Sequence, residues 1–351
     1  MVSSCEKTCN PHAVTLNLEE MKDTLNFLFA GNCLNKAEAH QMLVGIAEGQ
    51  FSDSEIASFL TVFRMRRIRP EELAGFRKAL LDLCVAIDLS EYNAIDVVGT
   101  GGDGKNTFNI STLSSFVLAG TGIKVTKHGN YGLSSVSGSS NMFEYFGYQF
   151  SNDQSKLRRE VEEAGICFLH APLFHPAMKS VGAVRKALKV KTLFNMMGPI
   201  INPSFPKNQL VGVYDLDVMD LYHEVFRESE QNYLIVNSLD GYDEISLTGD
   251  ARFVSNQTED NLSPGDFGFE PVFQEELYGG NTVEEAARIF KSVLEGTGTP
   301  AQQNVVIANA ALGIRCMCPE KSLIDCVAEA SESLESKRAL SAFKKLMELN
   351  K

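Results

Sequence analysis

From Ala94 onward the chain repeats one pattern, and that pattern leaves few folds open. Short apolar runs, "AIDVV" (94–98), "GIKVTK" (122–127), "ICFLHA" (166–171), "QLVGVY" (209–214) and "YLIVNS" (233–238), alternate with helical stretches, and "EISLTG" (244–249) reads as a sixth run. Runs of five or six residues bounded by polar loops read as buried strands. Strand, polar loop and helix in alternation predict an α/β domain, a mostly parallel central sheet flanked by helices. Ligands of such sheets bind beyond the carboxyl ends of the strands. Two glycine-rich loops leave the first two strands at that end.

Residues 17–90 follow a different grammar. Asn35 to Glu38 (N-x-x-E) and Ser52 to Glu55 (S-x-x-E) are capping boxes, and Pro70 followed by Glu71 and Glu72 opens a further helix. Four short helices are expected, a small all-α domain ahead of the α/β domain over 91–351. Residues 1–16 are polar and aperiodic and are expected to be a flexible leader. With 351 residues and an apolar fraction of 44%, the chain has material for two domains. No apolar run approaches the roughly 20 residues of a membrane span, and the N-terminus lacks the apolar core of a secretory signal. A cytoplasmic protein without a membrane partner is expected. The eight cysteines are scattered, and neither Cys5–Cys9 nor Cys316–Cys318 has a second pair to complete a zinc site, so reduced thiols are expected. The net charge of −13 argues against a nucleic-acid partner, which needs a broad cationic face, but not against a small polyanion in a local pocket.

The first glycine loop, "GTGGDG" (99–104), satisfies the dinucleotide pattern G-x-G-x-x-G, and "GTGGDGKN" nearly satisfies the P-loop. Each further requirement fails. Asn106 stands where a P-loop needs a Ser or Thr hydroxyl for magnesium. The dinucleotide reading wants an acid about 20 residues on, and the second strand runs instead into Lys127 and His128. What survives is the shared physics: a strand, glycines that permit close backbone approach, then a helix whose N-terminus favours an anion. Thr107, Asn109, Ser111 and Thr112 either cap that helix or donate to phosphate. The second loop, "KHGNYGLSSVSGSSN" (127–141), holds one lysine, three glycines and five serines and cannot be core. Together the two loops suit a pyrophosphate. Asp243 and Glu244, in "LDGYDEIS" after the fifth strand, are either an ordinary solvated acidic turn or hard oxygen ligands for magnesium beside that pyrophosphate.

Five segments in this order, "GTGGDGKNTFNIST", "KHGNYGLSSVSGSSN", "FHPAMKSVGAVRKAL", "KTLFNMMGPIINP" and "DGYDEIS", resemble the motifs of the anthranilate phosphoribosyltransferase family, and the resemblance runs from about Leu18 to the C-terminus. It implies the nucleoside-phosphorylase-like fold, with helices from about 176–200 packing on the helical domain, and a homodimer formed through that domain. The implied reaction moves the phosphoribosyl group of 5-phosphoribosyl 1-diphosphate (PRPP) to the amino nitrogen of anthranilate, a step of tryptophan biosynthesis. Carried over residue by residue, the resemblance gives PRPP to Gly99, Gly102, Asp103, Thr107, Asn109, Ile110, Ser111, Thr112, Lys127, His128, Gly129, Asn130, Tyr131, Gly132, Leu133, Ser134, Ser135 and Ser139. It gives anthranilate to Gly99, Asn130, His175 and Arg185, and Mg2+ to Ser111, Asp243 and Glu244. Lys127, Asn130 and Arg185 are the implied catalytic residues. Three positions depart from the family pattern: Tyr131 stands where Arg is common, Asn141 where Asp is frequent, and Lys191 replaces Arg. The rival readings are a pyrimidine nucleoside phosphorylase of similar fold and a non-enzymatic, nucleic-acid-binding relative.

Overall fold

A computed structural model of the protein describes residues 20–132 and 136–350. The expected leader and Leu133, Ser134 and Ser135 lie outside the described residues. The chain divides into two compact units: one holds the described residues through Cys84 together with His175–Met197, the other Val85–Phe174 and the residues from Gly198 onward.

The helical unit contains α1 (Met21–Phe29), α2 (Lys36–Ala47), α3 (Asp53–Met65) and α4 (Pro70–Asp82). Both capping boxes form. The Asn35 side chain accepts the Glu38 N–H at 2.9 Å while the Glu38 carboxylate accepts the Asn35 N–H at 2.8 Å, and Ser52 and Glu55 exchange the equivalent pair. These contacts satisfy amides that a helix leaves unpaired at its start. Phe59, Phe63 and Phe76 pack edge to face with centroids 5.0–6.0 Å apart. A Cβ on Gly75 would collide with the Lys36 carbonyl, so that glycine sets the close approach of α4 to α2.

In the other unit, β1 (Ile95–Gly99), β2 (Val125–Gly129), β3 (Ile166–His170), β4 (Asn208–Gly212) and β5 (Asn232–Ser238) are parallel, in the order β3-β2-β1-β4-β5. The order turns about β1: the chain moves to one side for β2 and β3 and returns on the other with β4. The crevice beyond the carboxyl end of β1 is therefore where such a sheet receives a ligand. Helix α5 (Ile110–Thr121) follows β1 and is buried along most of its length against β1, β2 and later helices. Helices α6 (Ser139–Tyr145), α7 (Gln154–Ala164) and the single turn α8 (Ala171–Phe174) follow β2 and β3. The chain then contributes α9 (Gly182–Leu188) to the helical unit, where the Ser180 hydroxyl donates to the Ala47 carbonyl at 2.9 Å. Helix α10 (Leu216–Arg227) joins β4 to β5, and α11 (Val283–Leu294), α12 (Pro300–Met317), α13 (Leu323–Glu335) and α14 (Arg338–Leu349) complete the unit, with α12, α13 and α14 packed on α5.

The expected sixth run behaves differently. Residues 244–249 form no strand; the sheet is extended by β6 (Ala251–Ser255) and β7 (Glu259–Leu262), both antiparallel. Ile245 and Leu247 are buried in the core as a strand would bury them, which explains the pattern. Yet Ser246 hydrogen-bonds Ser238 and Thr248 through its hydroxyl, and such local side-chain bonds compete with ladder pairing.

Candidate active site

Three segments meet at the carboxyl ends of β1, β2 and β5. In the first, Gly101, Gly102 and Gly104 have φ of +64°, +77° and +77°, the left-handed region that glycine enters without steric cost. Asp103 accepts the Lys105 N–H at 3.1 Å, and the Lys105 ammonium lies 4.5 Å from the centre of the Tyr242 ring, tying this loop to the acidic one. Asn109 does not cap α5 with its side chain. Its amide donates to the Ser137 carbonyl at 2.9 Å and accepts the Ser137 hydroxyl at 3.3 Å, so it fastens the two glycine loops together. Thr107 pairs with Tyr278 in an isolated bridge, while Ile110 and Thr112 have buried side chains.

The second segment is the acid pair, which is no solvated turn: Asp243 is only 7% exposed. Asp243 Oδ2 accepts the Gly101 N–H at 2.6 Å and Glu244 Oε1 accepts the Ser111 N–H at 2.9 Å. The sequence permits this through two strand-ending glycines. Gly99 and Gly212 sit side by side in the β1–β4 register, and a Cβ on either would collide with Asp243. Burial pushes both carboxyls above the usual range. Repulsion from Asp103 adds to this for Asp243, and repulsion from Asp243 and then Asp103 for Glu244. A divalent cation relieves such repulsion, and carboxylate oxygens with the Ser111 hydroxyl are the hard donor set that magnesium takes. Among the described residues no group of three His, Cys, Asp or Glu side chains could hold an ion by itself. Magnesium commonly combines one or two carboxylates with substrate phosphates.

The third segment begins with Lys127, a buried ammonium in the middle of β2. Its Nζ donates to the Val97 carbonyl at 2.6 Å and lies 3.5 Å from the Ser111 hydroxyl. Burial lowers its pKa to about 8, against the opposing pull of Asp96 and Glu244. The His128 N–H donates to Asp96 at 3.1 Å, and its ring Nδ1 lies 3.2 Å from the Gly198 carbonyl, which gives the ring an anchoring part. Gly129 leaves no room for a Cβ beside the Ser139 hydroxyl. The exposed Asn130 accepts the Ser140 N–H at 3.1 Å and the Ser139 hydroxyl at 3.3 Å on its carbonyl.

The Glycosyl transferase family a/b domain matches residues 91–340, and the same family's helical bundle domain matches residues 22–84. Anthranilate phosphoribosyltransferase of Christiangramia forsetii is 54% identical over 94% of this chain and 99% of its own, and that of Flavobacterium psychrophilum is 55% identical over 94% and 100%. The chain belongs to the anthranilate phosphoribosyltransferase family. Among solved structures, the family member from Thermus thermophilus superposes with a TM-score of 0.87 at 30% identity, covering 93% of this chain and 98% of that one. The Saccharomyces cerevisiae enzyme in complex with PRPP and Mg gives 0.86 at 26% identity, over 94% and 97%.

Two of the three departures from the expected pattern, Asn141 and Tyr131, make local contacts. Asn141 accepts the Gly132 and Gly138 N–H groups through one amide oxygen, each at 3.0 Å, and so closes the neck of the loop. A carboxylate oxygen would accept the same two bonds. Tyr131 brings no cation. Its hydroxyl donates to Glu144 at 3.3 Å and its ring stands edge-on to His170 at 5.2 Å. Nothing in the structure explains Lys191. Two expected anthranilate residues, His175 and Arg185, lie in the helical unit: His175 is buried before a short 3-10 turn, and the Arg185 guanidinium, on α9, is 5.5 Å from the Phe194 ring centre. Burial lowers the Arg185 pKa. Sequence reasoning passed over Asp96, whose carboxylate holds the His128 N–H and the Gln209 amide, the latter at 3.4 Å. The signal was present as an acid inside the apolar run "AIDVV".

Proposed function

We propose that the protein transfers the phosphoribosyl group of PRPP to the amino nitrogen of anthranilate, releasing pyrophosphate, in tryptophan biosynthesis. The observation that carries this reading is the acid pair: a buried and a half-buried carboxylate aimed at a glycine loop and at the first turn of α5, beside a buried lysine. The leaving pyrophosphate is highly charged and the sugar develops cationic character, so the work is charge neutralisation and placement of the nucleophile. Bound magnesium would supply the larger part of that neutralisation, held by Asp243, Glu244 and Ser111. Lys127 adds a fixed positive charge, and the two glycine-rich loops take the phosphate oxygens, with Gly102, Asp103, Thr107, Asn130 and Ser139 alongside. Arg185 pairs with the anthranilate carboxylate through a bidentate fork. An arylamine is unprotonated at neutral pH, so no strong base is needed, in keeping with the anchoring part of His128.

The helical unit leaves Phe29 and Met65 66% and 80% exposed near Leu28 and Val62. An apolar patch of this kind supports a homodimer formed through that unit. The thiols of Cys84, Cys167, Cys316, Cys318 and Cys326 are free, which supports a cytoplasmic setting, and no helix among the described residues is long and apolar enough to cross a membrane.

The deciding experiment incubates the protein with PRPP, anthranilate and magnesium and follows the loss of anthranilate fluorescence, against a low background because the chain has no Trp. Phosphorolysis of thymidine or uridine in place of this reaction would overturn the reading. Arg185→Ala should raise the KM for anthranilate strongly, by on the order of 2–3 kcal/mol, and that for PRPP little. Equal losses for both substrates would remove Arg185 from its role. Phe29→Glu with Met65→Glu should shift the mass in light scattering from dimer to monomer.

A further inference from the structure

The backbone beneath the acid pair is held by two side chains from different elements. Ser238, the last residue of β5, donates its hydroxyl to the Glu244 carbonyl at 2.7 Å and accepts the Ser246 N–H at 3.1 Å. Asn309, in the middle of α12, accepts the Ile245 N–H at 3.0 Å and donates to the Ile245 carbonyl at 2.8 Å. Its amide also donates to Val305 one turn back in the helix, at 2.8 Å. Ser238 is fully buried and Asn309 nearly so.

The setting of Asn309 is costly. It lies among Val305, Val306, Ile307, Ala308, Ala310 and Ala311, on a helix buried in the main core. Asn is a poorer helix former than Leu, and a buried amide is tolerated only when its bonds are made. For packing alone, an apolar side chain of similar size would serve α12 better. What the amide provides is a two-bond clamp on one residue, Ile245, of the kind a neighbouring strand would give, in a segment that joins no strand. With Glu244 O and both Ile245 groups fixed, the carboxylates can adjust through little more than their own side-chain torsions.

We infer that Asn309 and Ser238 are positioning residues that set the affinity of the acid pair for a divalent cation bound together with pyrophosphate oxygens. The inference rests on the reading that Asp243 and Glu244 take that cation. It assigns a binding role to an element, α12, that contributes no side chain to the chemistry.

The test measures Mn2+ binding by electron paramagnetic resonance in the presence of PRPP, with melting temperature as the control for folding. Asn309→Leu should bind Mn2+ about tenfold more weakly or worse, in the range expected when groups behind metal ligands are lost. Ser238→Ala should move affinity the same way by a smaller factor. In turnover assays the apparent KM for Mg2+ should rise by a matching factor, while kcat at saturating Mg2+ largely returns. Ser333→Ala removes another buried hydroxyl, which donates to the Val117 carbonyl at 2.7 Å far along the chain from the acid pair, and should lower stability without changing Mn2+ affinity. If Ser333→Ala weakens Mn2+ binding as much as Asn309→Leu, general softening explains the effect and the inference fails. It fails too if Asp243→Ala with Glu244→Ala loses Mn2+ while Asn309→Leu and Ser238→Ala retain it. Retention of Mn2+ by the double acid variant would overturn the metal reading itself. Should Asn309→Leu not fold, Ser238→Ala decides, since it leaves α12 intact.

Discussion

Two of the places where the sheet unit buries acids compensate them differently. Glu160, on α7, is surrounded by donors: the Tyr148 hydroxyl at 2.7 Å, the Asn350 amide at 2.8 Å and the Lys156 ammonium at 3.9 Å. Burial still raises its pKa to about 7, against the pull of those partners. Asp243 and Glu244 instead meet one another and Asp103, and take N–H groups from Gly101 and Ser111. An acid kept for stability is ringed by donors. An acid pair kept beside a third acid is a strain on the fold, which a cation bound with substrate would relieve. The lesson is that the compensation of a buried acid says more about its use than its burial does.

The sharpest way to break this comparison is to delete the pair. Asp243→Ala with Glu244→Ala should lower turnover by on the order of 10^3-fold, in line with the loss of a main electrostatic stabiliser. The melting temperature should hold or rise because buried like charges are gone. A variant that melts well below the parent would show that the pair supports the fold as Glu160 does.

The next effect concerns placement alone. Gly212→Ala keeps every charged group but sets a methyl against the Asp243 carbonyl. Displacement of the acid loop by about an ångström should cost on the order of 10^2-fold in kcat/KM. Near-normal activity would mean that the pair tolerates movement.

Asn141→Ala should act more gently. It deprives the Gly132 and Gly138 N–H groups of their shared acceptor at a partly exposed neck, where water substitutes. The KM for PRPP should rise by several-fold, equivalent to about 1 kcal/mol, with kcat for bound substrate nearly unchanged. Hydrogen exchange at 130–132 and 136–141 should quicken in the variant, and PRPP with magnesium should slow it.

At Glu160 no effect on turnover is expected, only one on the pH dependence of stability. The native carboxyl titrates near 7 and the ordinary value is 4.5. Below pH 4.5 both states hold the proton and the contribution is complete. As pH rises from 4.5 to 7 the unfolded chain loses its proton first, so native stability falls, by about 3 kcal/mol at most. Glu160→Gln should flatten that part of the curve in melts between pH 5 and 8 while leaving kcat alone. An unchanged slope would place the titration elsewhere.

Much of the architecture was legible in the chain because it rests on local chemistry. The capping boxes at Asn35 and Ser52, the proline opening α4 and five parallel strands follow from neighbours in sequence. So do the left-handed glycines at 101, 102 and 104, since no other residue enters that region freely. The acid pair could be proposed but not separated from a solvated turn, because burial depends on what α12 and the strand ends bring over it. Asn109 could be read as a cap or a phosphate donor, and its side chain ties the two loops, which no local pattern shows because its partner Ser137 is 28 residues away.

By itself, then, the sequence determined the helical segment before the sheet, the alternation of strands and helices, and the two glycine-rich loops. All are set by spacing, turn residues and period. The tertiary structure alone decided that 244–249 runs as a clamped loop and that the sheet ends in two antiparallel strands. It also decided that Gly99 and Gly212 stand side by side to admit Asp243, and that an asparagine on a distant helix holds the acid loop in place. Such choices turn on which polar groups find partners when remote segments meet. No local pattern records that outcome, because the partner of each buried group is fixed by the packing of the whole unit.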